Sequence, residues 1–185
     1  MSHQIARRWF NVDEYYRMAE SGILSQADRV ELIEGEIVTM SPIGSRHAAC
    51  VGRLTEVLSQ VSDRAIVWVQ NPIRIDRYSE PEPDIALVKR RADFYSAGHP
   101  TPAEVLLIVE VADTSTQYDR ETKIPLYAGA GIPESLLVNL PKDVVECYTQ
   151  PVNGTYQSIT IIKRGESFSS QVLPGLTLSA DSILG

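Results

Sequence analysis

The segments that decide the fold of this chain are PEPDIALV at residues 81–88 and LLIVEV at residues 106–111. Both are short, nearly continuous apolar runs, the pattern of β-strands that are buried on both faces of a sheet. Each segment carries one carboxylate at an end, Asp84 in the first and Glu110 in the second. Because a buried charge without a partner is unfavourable, these two acids predict that a partner lies close to both.

The strand period decides whether the two carboxylates can meet. Counting by two places Ile108 on the face of Glu110 and Ala86 on the face of Asp84. If the strands are neighbours with their acidic ends aligned, both side chains reach one ion, and the backbone carbonyl of Val111 adds a third oxygen. Such an oxygen-rich site suits a hard divalent cation, Mg²⁺ or Mn²⁺. The alternative is that Asp84 caps a turn while Glu110 lies in water at a strand end.

Two further side chains complete a candidate catalytic set. Lys123 follows Asp119 in a predicted helix, where its ammonium group can hold an attacking hydroxide and neutralise charge on a scissile phosphate. His47 begins an apolar helical stripe, from which it can act as a proton carrier or contact a phosphate. The alternatives are a solvated surface lysine and a core histidine. Together with Asp84 and Glu110, these groups predict metal-assisted attack of water on a phosphodiester.

Other polar residues are weaker candidates for the same site. Glu31 and Glu34 lie in a predicted hairpin and are either extra metal ligands or solvated side chains. Cys50 with His47 has the residue types of a nucleophile pair, but a buried cysteine is the favoured interpretation. The basic residues predicted to lie closest to the cleft, either lining a path for a phosphate backbone or solvated in loops, are Arg53, Arg74, Arg77 and Lys89-Arg90-Arg91.

The order of predicted elements indicates an α/β chain with a mixed β-sheet core flanked by helices, with extra β-hairpins. Helices are predicted from Asn11 to Gly22, from Ser45 to Val61 and from Asp119 to Ala130. Because Pro125 removes a helix hydrogen bond and is best tolerated in the first turn, the third helix is predicted to begin after Asp119. The last twenty residues are predicted to be irregular. Strands and hairpins are predicted at residues 31–40, 66–69, 73–76, 84–88, 105–111, 134–140, 144–148 and 156–162.

Length and composition predict a single domain over residues 1–185, because no repeat or long linker divides the chain. The net charge of −7 argues against a protein that coats nucleic acid, although it leaves room for an enzyme with a local basic groove. Cys50 and Cys147 are predicted to be buried thiols rather than a disulfide or a zinc site. No run approaches the roughly 20 apolar residues of a membrane span, and no signal-peptide core is present. We therefore predict a cytoplasmic protein without a membrane partner.

A set of short motifs resembles the PD-(D/E)XK nuclease superfamily, and specifically its Uma-two family of restriction-endonuclease-like proteins. As a set the motifs are specific, and they run through most of the chain. They are ELIEGE at residues 31–36, SP at 41–42, SRH at 45–47, QNP at 70–72, PEPD at 81–84, VEV at 109–111, YD at 118–119 with Lys123, LYA at 126–128 and GIPE at 131–134.

The resemblance implies a restriction-endonuclease-like core in which Asp84 and Glu110 bind metal. In the superfamily pattern a lysine stands two residues after the second acid, where this chain has Ala112. The Uma-two family is similar in lacking it there, and Lys123 resembles the displaced substitute. The implied activity is Mg²⁺- or Mn²⁺-dependent cleavage of DNA, and the resemblance also implies a homodimer. The alternatives are hydrolysis of a smaller phosphoester and a non-catalytic nucleic-acid-binding or regulatory module on the same fold.

Overall fold

The structure is a computed structural model that describes residues 7–25 and 27–185. Its centre is a six-stranded mixed sheet in the order β3-β4-β5-β6-β7-β8. The strands are β1 (Val30–Ile33), β2 (Glu36–Thr39), β3 (Ala65–Val69), β4 (Ile85–Lys89), β5 (Val105–Ala112), β6 (Glu134–Asn139), β7 (Val144–Val152), β8 (Thr155–Ile162), β9 (Ser167–Ser169) and β10 (Thr177–Ser179). The helices are α1 (Val12–Glu20), α2 (Ser45–Leu58), α3 (Thr116–Tyr118), α4 (Ile124–Gly129) and α5 (Ala180–Leu184).

Helices cover both faces of the central sheet. On one face, α2 buries Cys50, Val51 and Leu54 against the side chains of β5 that include Val109. On the other face, α4 buries Tyr127 with residues of β5 that alternate with the first set. This double cover explains why the central strands read as continuous apolar runs. The predicted fold class, a mixed sheet flanked by helices with extra hairpins, is therefore confirmed.

The strands β4 and β5 bring the two acids to the same edge of the sheet. They are antiparallel neighbours, and Ile85 at the start of β4 pairs with Val109 near the end of β5. The next position along this register places Asp84 opposite Glu110. Strand β6 then pairs with β5 in parallel, which requires the crossover through α3 and α4. That crossover carries Lys123 back to the sheet.

The hairpin of β1 and β2 turns tightly at Gly35, whose φ of +82° lies in the left-handed region. A Cβ atom built on Gly35 would stand 2.8 Å from the Cβ of Trp9, so the position also lacks room for a side chain. Helix α1 precedes the hairpin and is capped by Asn11, which forms a reciprocal capping box with Glu14. The first helix and the hairpin are thus as predicted.

Three local predictions are wrong. The segment at residues 73–76 is not a strand, because its N–H groups donate to loop carbonyls rather than to a neighbouring strand. The accepting carbonyls are those of Pro81, Pro100 and Ser79. The helix predicted to begin after Asp119 begins at Thr116 instead. The last twenty residues are not wholly irregular, since they contain β9, β10 and α5, which cover the α2 face of the sheet.

Cys50 and Cys147 are buried free thiols, as predicted. Within the described part of the chain, every helix is too short or too polar to span a membrane.

A polar cluster on β7 stabilises the helical crossover. Glu146 is 7% exposed and accepts hydrogen bonds from Arg120, Asn139 and Tyr148. Burial alone would favour the neutral carboxyl group, but these three donors outweigh it and lower the pKa of Glu146 to about 2. The charged carboxylate therefore ties the helical segment after α3 to β7 through Arg120.

The Glu146 cluster predicts a specific acid sensitivity. Since the folded pKa of about 2 lies below the ordinary value of 4.5, its contribution is complete above pH 4.5 and is lost as the pH falls towards 2. We expect Glu146→Gln to lower the free energy of unfolding at neutral pH by about 2 kcal/mol and to flatten its dependence on pH in that window. Urea unfolding at several pH values, with the exposed Glu36→Gln as control, measures this. Equal pH slopes for wild type and Glu146→Gln would contradict it.

Candidate active site

A cleft of about 520 Å³ opens at the edge of the sheet where β4 begins and β5 ends. One wall is the segment at residues 38–44, which runs from β2 to α2, and the opposite wall is the segment at residues 113–119. All five predicted site residues line this cleft: Asp84, Glu110, Val111, Lys123 and His47. The structure thus brings the predicted set together in one cleft.

Asp84 is held in place by the end of β5. One carboxylate oxygen, Oδ2, accepts a hydrogen bond from the Val111 N–H at 2.8 Å. The other, Oδ1, lies 3.0 Å from Nε2 of His47 and 3.3 Å from the amide nitrogen of Gln70. The period-two count expected Asp84 on the α4 face with Ala86, but it contacts α2 through His47. Because Asp84 precedes the paired part of β4, strand alternation does not fix the direction of its side chain.

Glu110 and Lys123 form a buried ion pair beneath the cleft. Nζ of Lys123 lies 2.9 Å from Oε1 of Glu110 and 3.2 Å from Oε2 of Glu31. The Tyr127 hydroxyl donates to the same Oε1 atom of Glu110. The side chains of Lys123 and Glu110 are 6% and 4% exposed, so Lys123 is not the solvated surface lysine of the alternative interpretation.

The burial of this pair controls its electrostatics. Desolvation raises the pKa of Glu110, and the nearby Lys123 charge opposes that rise. Burial also disfavours the charged form of Lys123, but the carboxylates of Glu110 and Glu31 hold the pKa of Lys123 well above its ordinary value. At the cleft wall, the hydrogen bond with Asp84 raises the pKa of His47. The site therefore holds a protonated lysine against Glu110, whose charged form both Lys123 and a further nearby cation favour.

The helix that carries Lys123 is widened into a π-helical segment, Asp119–Lys123. Pro125 explains the widening, because a proline ring clashes with the carbonyl four residues earlier, here that of Glu121. Asp119, Lys123 and Tyr127 recur at four-residue spacing and are all buried. Short π-helical segments of this kind are common at functional sites.

The predicted accessory residues divide into one that reaches the site and others that do not. Glu31 is buried and pairs with Lys123, whereas Glu34 is exposed and lines a different surface depression. The basic residues predicted to lie closest to the cleft do not line it, so that prediction is wrong. Arg53 instead binds carbonyls of α5, and Arg74 pairs with Glu80. Arg91 pairs with Asp93 and Glu104, and Arg77 and Lys89-Arg90 also lie outside the cleft lining.

Several cleft residues were not predicted. Arg29 lines the cleft and donates to the Ser41 carbonyl at 3.3 Å; no acid among residues 7–25 and 27–185 forms a salt bridge with it. Asp119 is buried and accepts a hydrogen bond from Ser115. Its four-residue spacing from Lys123 is a sequence signal that identifies it, whereas Arg29 precedes a strand and carries no such signal. Others that sequence reasoning missed are Glu82, Asp113 and Tyr118.

A mixed sheet whose neighbouring antiparallel strands each present an acid at one edge, with a lysine against the second acid, defines the class of restriction-endonuclease-like α/β proteins. Comparison with known protein families agrees: residues 12–181 match Uma2, described as "Putative restriction endonuclease". The chain belongs to this family, and the resemblance stated from its motifs is confirmed.

A solved structure extends the agreement to the whole fold. The chain is similar to a "putative nuclease belonging to DUF820" from Anabaena variabilis, with a TM-score of 0.70 and 15% sequence identity over 95% of this chain and 97% of that one. At this identity the likeness concerns the fold alone. A comparison with curated proteins found no match.

Proposed function

We propose that the protein is a divalent-metal-dependent endonuclease that hydrolyses phosphodiester bonds in DNA. The observation that carries the proposal is the placement of Asp84 and Glu110 opposite each other at one sheet edge, with Lys123 against Glu110 in the same cleft. Membership of a nuclease-like family supports the reaction class. Residue roles, metal dependence and the DNA substrate are parts of the proposal.

The donor set fits Mg²⁺ or Mn²⁺. Both partners of Glu110 bind Oε1, and Oε2 accepts no hydrogen bond from any residue that the structure describes. The Val111 N–H points to Asp84, and because a strand residue directs its N–H and carbonyl to the same side, the Val111 carbonyl points past the start of β4 as well. Among residues 7–25 and 27–185 no group of three His, Cys, Asp or Glu side chains forms a complete metal cage. Mg²⁺ does not need such a cage of protein ligands, since it binds through one or two carboxylates plus water and phosphate oxygens.

Each of the proposed site residues then has its own task in the reaction. Asp84, Glu110 and the Val111 carbonyl would hold the cation, which supplies charge neutralisation at the phosphate and acidifies water. Lys123 has three N–H donors and uses two on Glu110 and Glu31, so one remains for the attacking oxygen or a phosphate oxygen. The water oxygen bonds to phosphorus while the bond from phosphorus to the ester oxygen breaks. The proton lost by water passes to His47, the proposed carrier, and solvent protonates the departing ester oxygen.

The proposed role of His47 is assistance rather than metal binding. We expect His47→Ala to lower the cleavage rate by about 10²-fold, the usual contribution of a positioned acid–base group. The affinity for Mn²⁺ should change little, because His47 is not among the residues proposed to hold the ion. Rates and calorimetric affinities measured on the same preparation separate these effects. An unchanged cleavage rate would remove His47 from the mechanism.

Two alternatives give different outcomes in one experiment. The chain's acidic balance and the engagement of its arginines elsewhere favour a non-catalytic module as the second candidate. We therefore propose incubating the protein with supercoiled plasmid and Mg²⁺ or Mn²⁺, with parallel reactions in EDTA and with linear duplex DNA, short oligonucleotides or nucleotides as competitors. If nicking requires the metal and duplex DNA is its strongest inhibitor, the result supports the endonuclease. Inhibition by nucleotides alone indicates a smaller phosphoester, and binding without cleavage indicates the module.

A further inference from the structure

The outer strand β8 leaves one edge of the central sheet open. Within the part of the chain that the structure describes, β8 pairs only with β7. Its eight residues, TYQSITII, contain no charged residue and no proline. Along its free side the N–H and carbonyl groups of alternate residues therefore have no strand partner. Such an edge is a template for pairing with another strand.

The side chains of β8 also present an apolar surface. Ile159 and Ile161 are 60% and 54% exposed, and Thr160 between them is exposed as well. The opposite edge strand, β3, is shorter, with five residues, and is half-buried or buried throughout. Proteins usually protect a free edge with lysine, proline or a cover of helix or loop. The C-terminal half of β8 has none of these devices, so its exposure indicates an interaction surface.

We propose that β8 is the surface through which two copies of this chain associate. The two β8 strands pair antiparallel about a two-fold axis and join the two sheets into one of twelve strands, six from each copy. This pairing is isologous, because one surface meets itself. The strand is long enough to form a ladder, and its hydrogen-bonding groups are complementary to those of its own copy.

The charges around β8 favour a second copy as the occupant. In a pairing centred on Ile159, the first charged residue after the strand, Lys163, lies opposite Thr155 of the second copy rather than opposite another lysine. Next to it, Arg164 is already neutralised by Asp143. The axis therefore meets no like-charge pair, and Ile159 packs beside its own equivalent, a favourable cross-strand contact. The strand lies three positions from β5, so this inference does not depend on the proposed nuclease activity.

Sedimentation velocity of the full chain over a range of concentrations tests the proposal. Wild type is expected to form a dimer. Ile159→Lys should weaken the dimer by at least about 10²-fold, because the two-fold axis places two new ammonium groups side by side. The matched control is Ile23→Lys, which adds the same charge at an isoleucine that is 71% exposed in the turn after α1. It should leave the dimer intact, and both variants should keep the far-ultraviolet circular dichroism spectrum of wild type, because each substitution lies at an exposed side chain.

Hydrogen exchange provides a second measurement that needs no variant. In the dimer, the amides of Thr155–Ile162 that face away from β7 should exchange more slowly as the protein concentration rises. A wild type that remains monomeric at about 100 µM, where even a weak dimer would be populated, overturns the proposal. A dimer that Ile159→Lys leaves unchanged, or one in which these amides exchange freely, overturns it equally by placing the interface elsewhere.

Discussion

Replacing Asp84 by asparagine should weaken Mn²⁺ binding by about 10²-fold or more, because it removes one of two carboxylates available to the ion. The amide is nearly the same size, and its oxygen can still accept the Val111 N–H bond that Asp84 Oδ2 accepts at 2.8 Å. The fold should therefore survive. Isothermal titration calorimetry with Mn²⁺ measures the affinity, and thermal unfolding checks the fold.

The matched control for Asp84→Asn is Asp113→Asn. Asp113 lines the same cleft, but its side chain is about one-third exposed and pairs with Arg46 at 3.5 Å. We expect this variant to bind Mn²⁺ almost as well as wild type. Equal affinities for wild type and Asp84→Asn would show that the ion binds without Asp84, and equal losses in both variants would show only a general charge effect.

Replacing Lys123 by methionine should abolish cleavage and also destabilise the fold. Cleavage should fall by about 10³-fold, the effect expected when a preorganised cation facing the developing charge is removed. The free energy of unfolding should fall by about 3 kcal/mol, because Glu110 and Glu31 lose the charge that compensates their burial. Plasmid cleavage and urea unfolding measure the two effects. The exposed Lys142→Met is the control and should change neither.

A double variant separates the two roles of Lys123. In Lys123→Met with Glu110→Gln, the buried site no longer contains the Glu110 charge, so much of the lost stability should return. Cleavage should stay at the level of the single variant or below it. If the double variant regained activity, the lysine would have served stability only. If Lys123→Met alone kept full activity, it would have no part in the reaction.

The sequence predicted the sheet edge well because local signals determine it. The apolar runs of β4 and β5 are typical of buried strands, and the structure pairs them in the antiparallel register that places Asp84 opposite Glu110. The helical stripe of α2 likewise brings His47 over the same edge. The burial of Lys123 was not evident from composition, because it depends on the crossover after β5. The family resemblance indicated a role for Lys123 in the site but not its burial.

The wrong predictions have a common physical origin in tertiary contacts. Ile73 and Ile75 alternate with polar residues as strand residues do, yet loop carbonyls take their N–H groups. Pro125 marks the widened turn within a helix rather than the helix start, because the π-helical segment accommodates its ring. Most of the arginines expected at the cleft bind acids or carbonyls elsewhere, namely Arg53, Arg74, Arg90 and Arg91, and Arg29 lines the cleft instead. Sequence spacing contains little information about such long-range pairing.

The most direct test of the central claim is cleavage of supercoiled plasmid under single-turnover conditions with Mn²⁺. Wild type and Asp84→Asn should be purified in parallel, so that a contaminating nuclease would appear in both. We predict that wild type nicks or linearises the plasmid, that EDTA stops it, and that Asp84→Asn is at least about 10³-fold slower. Equal cleavage by the two proteins, or none by a folded wild type that binds Mn²⁺, would contradict the assignment of this cleft as a nuclease site.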